Sequence, residues 1–311
     1  MKTKIHQLSG AGRSINSVLM LTLLTTTLCA CGGGASSANS ASNNTATTPV
    51  VTTPVFTAPA FPTGGKPANW KLAWSDEFEQ TGLPDASKWV FDTARNKEGW
   101  YNHELQYYAK DRLENARVAD GKLTITARKE KLSSAPDYGG QAYSSARLLT
   151  NGKASWTYGF FEIRAKLPCG LGTWPAIWML GTKGTWPDDG EIDIMEHVGK
   201  TKGQILGSAY TNFYNWANGT GNTKSTTVSD ACDNFHNYQL YWDDQQLAIG
   251  VDDRYYFQFV NPKTGDYKKW PFDSPQYLIL NLAIGGDLGG PVDDNIFPSQ
   301  FEVEYVRVYQ K

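Results

Sequence analysis

Three stretches of the chain alternate apolar and polar residues: Lys122-Leu-Thr-Ile-Thr-Ala127, Phe160-Phe-Glu-Ile-Arg-Ala-Lys-Leu167 and Phe301-Glu-Val-Glu-Tyr-Val-Arg-Val-Tyr309. Successive side chains of a strand point to opposite faces, so this period predicts strands with one face buried and one wet, as in antiparallel sheets. Glycine, proline, asparagine and aspartate punctuate the intervals, for example at Gly139-Gly140, Asp189-Gly190 and Gly285-Gly286. No long segment carries the period of a helix, and no repeat recurs. The pattern predicts an all-β domain of two packed antiparallel sheets, a β-sandwich or jelly roll.

The N-terminal region follows another pattern. Lys2, Lys4 and Arg13 give a basic start, and Ile15 to Leu28 is a charge-free, mostly apolar run. Such a run suits a signal peptide (1–30) and is too short to span a bilayer. It ends in Leu28-Cys29-Ala30-Cys31, which resembles the lipobox of bacterial lipoproteins; the resemblance makes Cys31 the lipidated mature N-terminus. Gly32 follows, where an inner-membrane retention signal would carry aspartate, so the expected location is the outer membrane. An ordinary cleaved signal is the alternative. From Gly32 to Gly65 no residue is charged, and Ser, Thr, Ala, Asn, Pro and Gly dominate. This composition buries too little apolar surface to offset its ordering entropy, which predicts a flexible tether over 31–66 with a reach of roughly 30–35 Å.

The remaining length, 67–311, is that of one domain. Without the three basic residues of the signal, 26 basic residues face 31 acidic ones, which argues against a nucleic-acid partner. Of the four cysteines only Cys169 and Cys232 lie in the domain, so a disulfide framework is excluded. Export would permit a single bridge between them, but sequence does not show that they are close. A monomer is expected.

The segment with most chemistry is Trp186-Pro-Asp-Asp-Gly-Glu-Ile-Asp-Ile-Met-Glu-His-Val-Gly199. As a regular strand it would place Glu191 and Asp193 on one face but Glu196 in the core, a poor place for a lone carboxylate. One extra residue, a β-bulge near Ile194-Met195, buries Met195 and returns Glu196 to the acidic face. Three carboxylates then line one cleft. Two of them about 5.5 Å apart repel by roughly 3 kcal/mol at an effective dielectric near 20, about two pK units. One therefore keeps its proton while another stays ionised, the division of labour of a retaining glycosidase. A solvated face or a calcium site is the competing reading of an acid-rich strand.

The chain has eleven tryptophans. Sugar rings stack their C–H faces on such rings while their hydroxyls seek polar side chains. Trp174 and Trp186, beside glycine and proline, are the expected sugar platforms; Trp178, in the run Ala176-Ile-Trp-Met-Leu180, is assigned to packing.

These residues resemble glycoside hydrolase family 16, specifically its laminarinase-like endo-β-1,3-glucanases. The likeness runs from Trp70 to Gln310 through Trp74-Ser-Asp-Glu-Phe78, Glu104-Leu-Gln-Tyr-Tyr108, Ser144-Ser-Ala-Arg-Leu148, Gly172-Thr-Trp-Pro-Ala-Ile-Trp-Met-Leu180, Gly190–Gly199 and Leu280-Asn-Leu-Ala-Ile-Gly-Gly286. The resemblance implies a concanavalin A-like jelly roll with a concave cleft and retaining hydrolysis of β-1,3-glucosidic bonds. It makes Glu191 the nucleophile, Glu196 the general acid/base, and Asp193 the residue that orients and tunes Glu191. Asn102, Arg147, Trp174 and Trp186 match positions that line the subsites for the glycosyl portion (donor side), and His197 and Tyr210 complete the expected substrate contacts.

Two departures from the family matter. Tyr210 stands where many laminarinases have histidine, which bears on the acceptor side, and Glu304 stands where aspartate is frequent near a structural calcium, with Glu77 and the Gly121 region. That leaves a calcium there open, while catalysis requires no cofactor. A mixed-linkage glucanase, another polysaccharide hydrolase of the family, and a non-catalytic β-glucan-binding protein are the alternative functions; retention of all three acids weighs against the last.

Overall fold

A computed structural model describes residues 58–311. The signal segment, Cys31 and the tether up to residue 57 lie outside the described residues. The described part forms one compact unit of two stacked sheets, as the alternation predicted. Among the described residues the only α-helical piece is Gly286–Gly289, with three short 3-10 turns.

All three alternating segments lie in the ten-stranded sheet, where Ser299–Gln310 runs between Gly159–Lys166 and Lys122–Lys129, antiparallel to both. Phe161, Ile163 and Ala165 turn into the space between the sheets, and the intervening Glu162, Arg164 and Lys166 stay partly in solvent. One short pair departs from the antiparallel rule: Gln106–Tyr108 runs parallel to Tyr143–Ser145.

The seven-stranded sheet carries the site. Its strands lie in the order Thr223–Thr227, Gln204–Tyr210, Glu191–His197, Thr173–Gly181, Gln276–Ile284, Arg147–Leu149 and Val90–Phe91. All of its neighbours are antiparallel. One face sends Ile177, Met179, Ile192, Ile205, Leu278 and Leu280 against Leu123, Ile125, Phe161, Ile163, Val306 and Val308 of the other sheet. Each such side chain contributes about 1.5–3 kcal/mol on burial. The other face, freed from packing, forms the cleft.

Three details go beyond the sequence reading. Cys169 and Cys232 form a disulfide with a Cα–Cα distance of 5.7 Å, a pairing the sequence left open. The last residues of the expected tether lie against the domain: Gln258 Nε2 donates to the Pro59 carbonyl at 2.9 Å and Gln246 Nε2 to the Ala60 carbonyl at 3.3 Å. The residues named for a calcium make protein contacts of their own. Glu77 takes both its oxygens to Arg307 (3.0 and 2.8 Å), and Glu304 accepts from Arg164 Nε at 2.6 Å. Each carboxylate is thus paired with its own arginine, and Gly121 lies in the turn after Asp120.

Candidate active site

The strand Glu191–His197 is bulged where the spacing required it. Against Thr173–Gly181, Glu191 pairs with Leu180 and Asp193 with Trp178; the register then slips, putting Met195 opposite Ile177 and Glu196 opposite Ala176. The same slip separates Asp193–Ser208 from Glu196–Leu206 on the other side. Ile194 and Met195 consequently enter the core one after the other, both fully buried. Glu191, Asp193 and Glu196 emerge together on the cleft face.

Each glutamate receives one indole N–H. Trp174 Nε1 donates to Glu196 Oε1 at 3.0 Å, and Trp186 Nε1 donates to Glu191 Oε2 at 2.5 Å. Burial pushes the Glu196 carboxyl up to about 7, helped by the charge of Glu191 and opposed by the Trp174 hydrogen bond. Burial also raises Glu191, but hydrogen bonds from Asp193 and Trp186 and the charge of Arg147 pull it back. Asp193 is held well above the usual carboxylate range by burial and by its two anionic neighbours. Burial and the neighbouring charges thus favour the neutral form of Asp193 most strongly, and Glu196 is poised to exchange a proton.

Of the expected contact residues, most reach this face. Arg147 is buried, ion-paired through Nε to Asp92 Oδ2 at 3.0 Å, with its guanidinium carbon 4.8 Å from the Trp178 ring centroid and 5.2 Å from that of Trp100. Asn102 sits exposed with φ 56° in the turn Tyr101–His103, packed against Gly286. A Cβ on Gly286 would lie 2.7 Å from the Asn102 carbonyl oxygen, so only glycine admits this approach. Tyr210 pairs directly with Glu191 and hydrogen-bonds Thr223 at 3.0 Å; burial raises its hydroxyl to about 12.

Two expectations are corrected. Trp178 is not core packing: it sits opposite Asp193, shares that residue's parity, stacks on Arg147 and donates to Asn281 Oδ1 at 2.7 Å. Ile177 and Met179 take the core positions instead. His197 does not reach the cleft. Alternation resumes after the bulge and turns it inward with Ile205, where Gly203 N donates to its Nε2 at 3.2 Å and Cys169 Sγ lies 3.7 Å away. Burial lowers it to about 4, leaving a neutral imidazole.

The sequence reading gave no role to Glu104, Tyr108 or Asn281, although all three lie in the quoted blocks. Glu104 accepts from Gln106 Nε2 at 2.8 Å and from the Tyr108 hydroxyl at 3.4 Å; Asn281 donates to that hydroxyl at 3.0 Å. Burial raises the Glu104 carboxyl, and its charge in turn helps raise Glu196. A fourth carboxylate thus faces the cleft, brought from a distant segment by the bridge between Glu104 and Gly285.

A two-sheet sandwich with paired glutamates under indole donors, beside an arginine held between tryptophans, defines a hydrolase of carbohydrate chains. Residues 103–307 match glycosyl hydrolases family 16, and the chain belongs to that family. It is 49% identical over 256 residues to a beta-glucanase from Rhodothermus marinus, covering 79% of this chain and 87% of that protein. The crystal structure of SCLam, a non-specific endo-beta-1,3(4)-glucanase from the same family, is 54% identical and superposes with a TM-score of 0.79, covering 82% of this chain and 96% of that one. The X-ray structure of the laminarinase from Rhodothermus marinus is 49% identical with a TM-score of 0.73, covering 78% and 97%.

Proposed function

We propose that the chain cleaves internal β-1,3-glucosidic bonds of β-glucans such as laminarin, with retention of anomeric configuration. The observation that carries this reading is the bulged acid strand: two glutamates on one face, each bound by an indole N–H, with Glu196 raised to about 7 and Asp193, its carboxyl pushed up by burial and its neighbours, between them in the chain.

In the first step the Glu191 carboxylate attacks the anomeric carbon as the bond to the glycosidic oxygen breaks, and Glu196 gives its proton to that oxygen. A glycosyl ester on Glu191 and a shortened glucan result. Glu196, now ionised, takes a proton from water as the water attacks the anomeric carbon and releases Glu191. Two inversions at one carbon leave the configuration as it began. Asp193 holds Glu191 by hydrogen bond, while Arg147, Asn281 and Trp178 form a rigid wall for the glycosyl portion.

Mixed-linkage β-1,3(4) cleavage is the second reading, favoured by the likeness to SCLam, a relative of which a mutant crystal presents 1,3-beta-D-cellobiosyl-glucose at its active site. The product profile on laminarin, lichenan and agarose separates the readings. Fast laminarin cleavage with slower lichenan cleavage is expected; agarose as the preferred substrate would overturn both.

The Leu28-Cys29-Ala30-Cys31 pattern supports placing this activity at a membrane surface, on a monomer tethered by a lipid at Cys31 in the outer membrane.

A further inference from the structure

Of the eleven tryptophans in the chain, nine are buried or half-buried. The two exposed ones are Trp186, at 42%, and Trp216, at 64%. These two touch: their ring centroids are 6.1 Å apart and their planes differ by 31°. Together they make a continuous aromatic surface that opens from the catalytic cleft, because the Trp186 N–H is the one bound to Glu191. An exposed apolar patch that continues a binding cleft signals a ligand surface, and indoles held side by side suit the C–H face of a sugar ring.

Trp216 is held, not dangling. It begins the 3-10 turn Trp216–Asn218 in the connection between strands Gln204–Tyr210 and Thr223–Thr227. Asn215, nearly fully buried, donates through Nδ2 to the carbonyls of Thr211 (3.1 Å) and Asn212 (3.0 Å) and accepts from the Asn218 N–H at 3.1 Å. Asn212 donates to Asp188, which ties this loop to the loop that carries Trp186. The Phe213 N–H donates to the Lys268 carbonyl at 2.9 Å. A loop backbone fixed before binding loses little entropy when its side chain binds.

The strand order sets which part of the substrate it meets. Arg147, Trp178 and Asn281 lie on one side of the acid strand, on Arg147–Leu149, Thr173–Gly181 and Gln276–Ile284. Trp216 hangs from the two strands on the opposite side, and its loop crosses over Tyr210: at Gly221 a Cβ would sit 3.6 Å from the Tyr210 ring and 3.5 Å from the Trp216 backbone nitrogen. We propose that Trp216 forms a stacking subsite for a glucosyl unit of the leaving-group portion of the glucan, Trp186 staying with the glycosyl portion beside Glu191. This inference rests on the proposed glucanase reading and adds to it a specificity-determining residue outside the acid strand.

The test compares wild type, Trp216→Ala and Trp216→Phe on laminarin and on a p-nitrophenyl β-laminaritrioside. The phenol of the second substrate leaves the proposed subsite without a sugar. Trp216→Ala is expected to lower kcat/KM on laminarin about tenfold, mostly through KM, with little change on the aryl glycoside, and Trp216→Phe to restore most of the loss. Transfer of glycosyl units to added laminaribiose should fall in parallel. Equal effects on both substrates, or none on either, would overturn the subsite while leaving the glucanase reading intact. Wild-type protein inert on laminarin would overturn that reading and this inference with it.

Discussion

Trp174 and Glu196 are joined by one hydrogen bond, from the indole Nε1 to the carboxylate Oε1 at 3.0 Å. They come from adjacent strands, and the bond exists only because the bulge swings Glu196 back over the Thr173–Gly181 strand. A hydrogen bond to the ionised carboxylate favours that form, so it moderates a proton affinity that burial and Glu191 push up to about 7.

Removing the donor should therefore move the pH profile. Glu196 must be protonated for the first step, so kcat/KM in wild type should fall above about pH 7. In Trp174→Phe this alkaline limb should shift to higher pH, because the ionised form loses its donor. A limb that moves downward, or stays put while activity survives, would contradict the assignment of Glu196 as the acid.

Glu191→Gln should lower turnover by roughly a thousandfold or more while oligosaccharide binding persists, since the shape is kept and the nucleophile is lost. Azide should rescue Glu191→Ala with an activated donor and give the inverted α-glycosyl azide. Proton NMR of early wild-type products decides the stereochemistry, and an inverted product sinks the double displacement.

The acid cluster should cost stability at neutral pH. Folding raises Glu196 from its ordinary value of 4.5 to about 7, so its contribution to stability is complete below 4.5 and is lost as pH rises through 7. Glu196→Gln should accordingly match wild type near pH 4.5 and exceed it at pH 8 by about 1–3 kcal/mol, a Tm rise of several degrees. Thermal melts across that range check the sign; a gap that narrows toward pH 8 would refute it.

The bulge itself can be edited. Deleting Met195 restores strict alternation and keeps the third glutamate on the cleft face, at about 2–5 kcal/mol of lost core packing. Folded protein from this deletion should retain measurable laminarin hydrolysis. Inserting alanine after Met195 should turn Glu196 into the core and abolish turnover. Near-native rates from a folded insertion variant would remove the geometric case for Glu196.

The anchor is tested separately by Cys31→Ala. The variant should escape labelling with a palmitate analogue and appear in soluble fractions; labelling equal to wild type would exclude lipidation at Cys31.

Much of this molecule was legible in the chain. Period-two alternation in Lys122–Ala127, Phe160–Leu167 and Phe301–Tyr309 determined strands with one wet face, because side-chain direction in a strand depends only on parity. Parity also required the extra residue between Asp193 and Glu196, since a lone carboxylate could not stay in the core. The same rule, carried from Glu196 to His197 and along the neighbouring strand from Trp174 to Trp178, would have turned His197 inward and Trp178 outward, where the structure places them.

Only the tertiary structure decided what meets across strands. Glu104 reaches the cleft through its bridge to Gly285, and Cys169 meets Cys232 across 63 residues. Trp216 finds Trp186 because Asn212 ties two loops together. The ion-pair partners Arg307 and Glu77, and Arg164 and Glu304, are likewise far apart in the chain. Parity acts between neighbours and can be read along a sequence; ion pairs, bridges and stacked rings depend on distances that exist only after the sheets have paired.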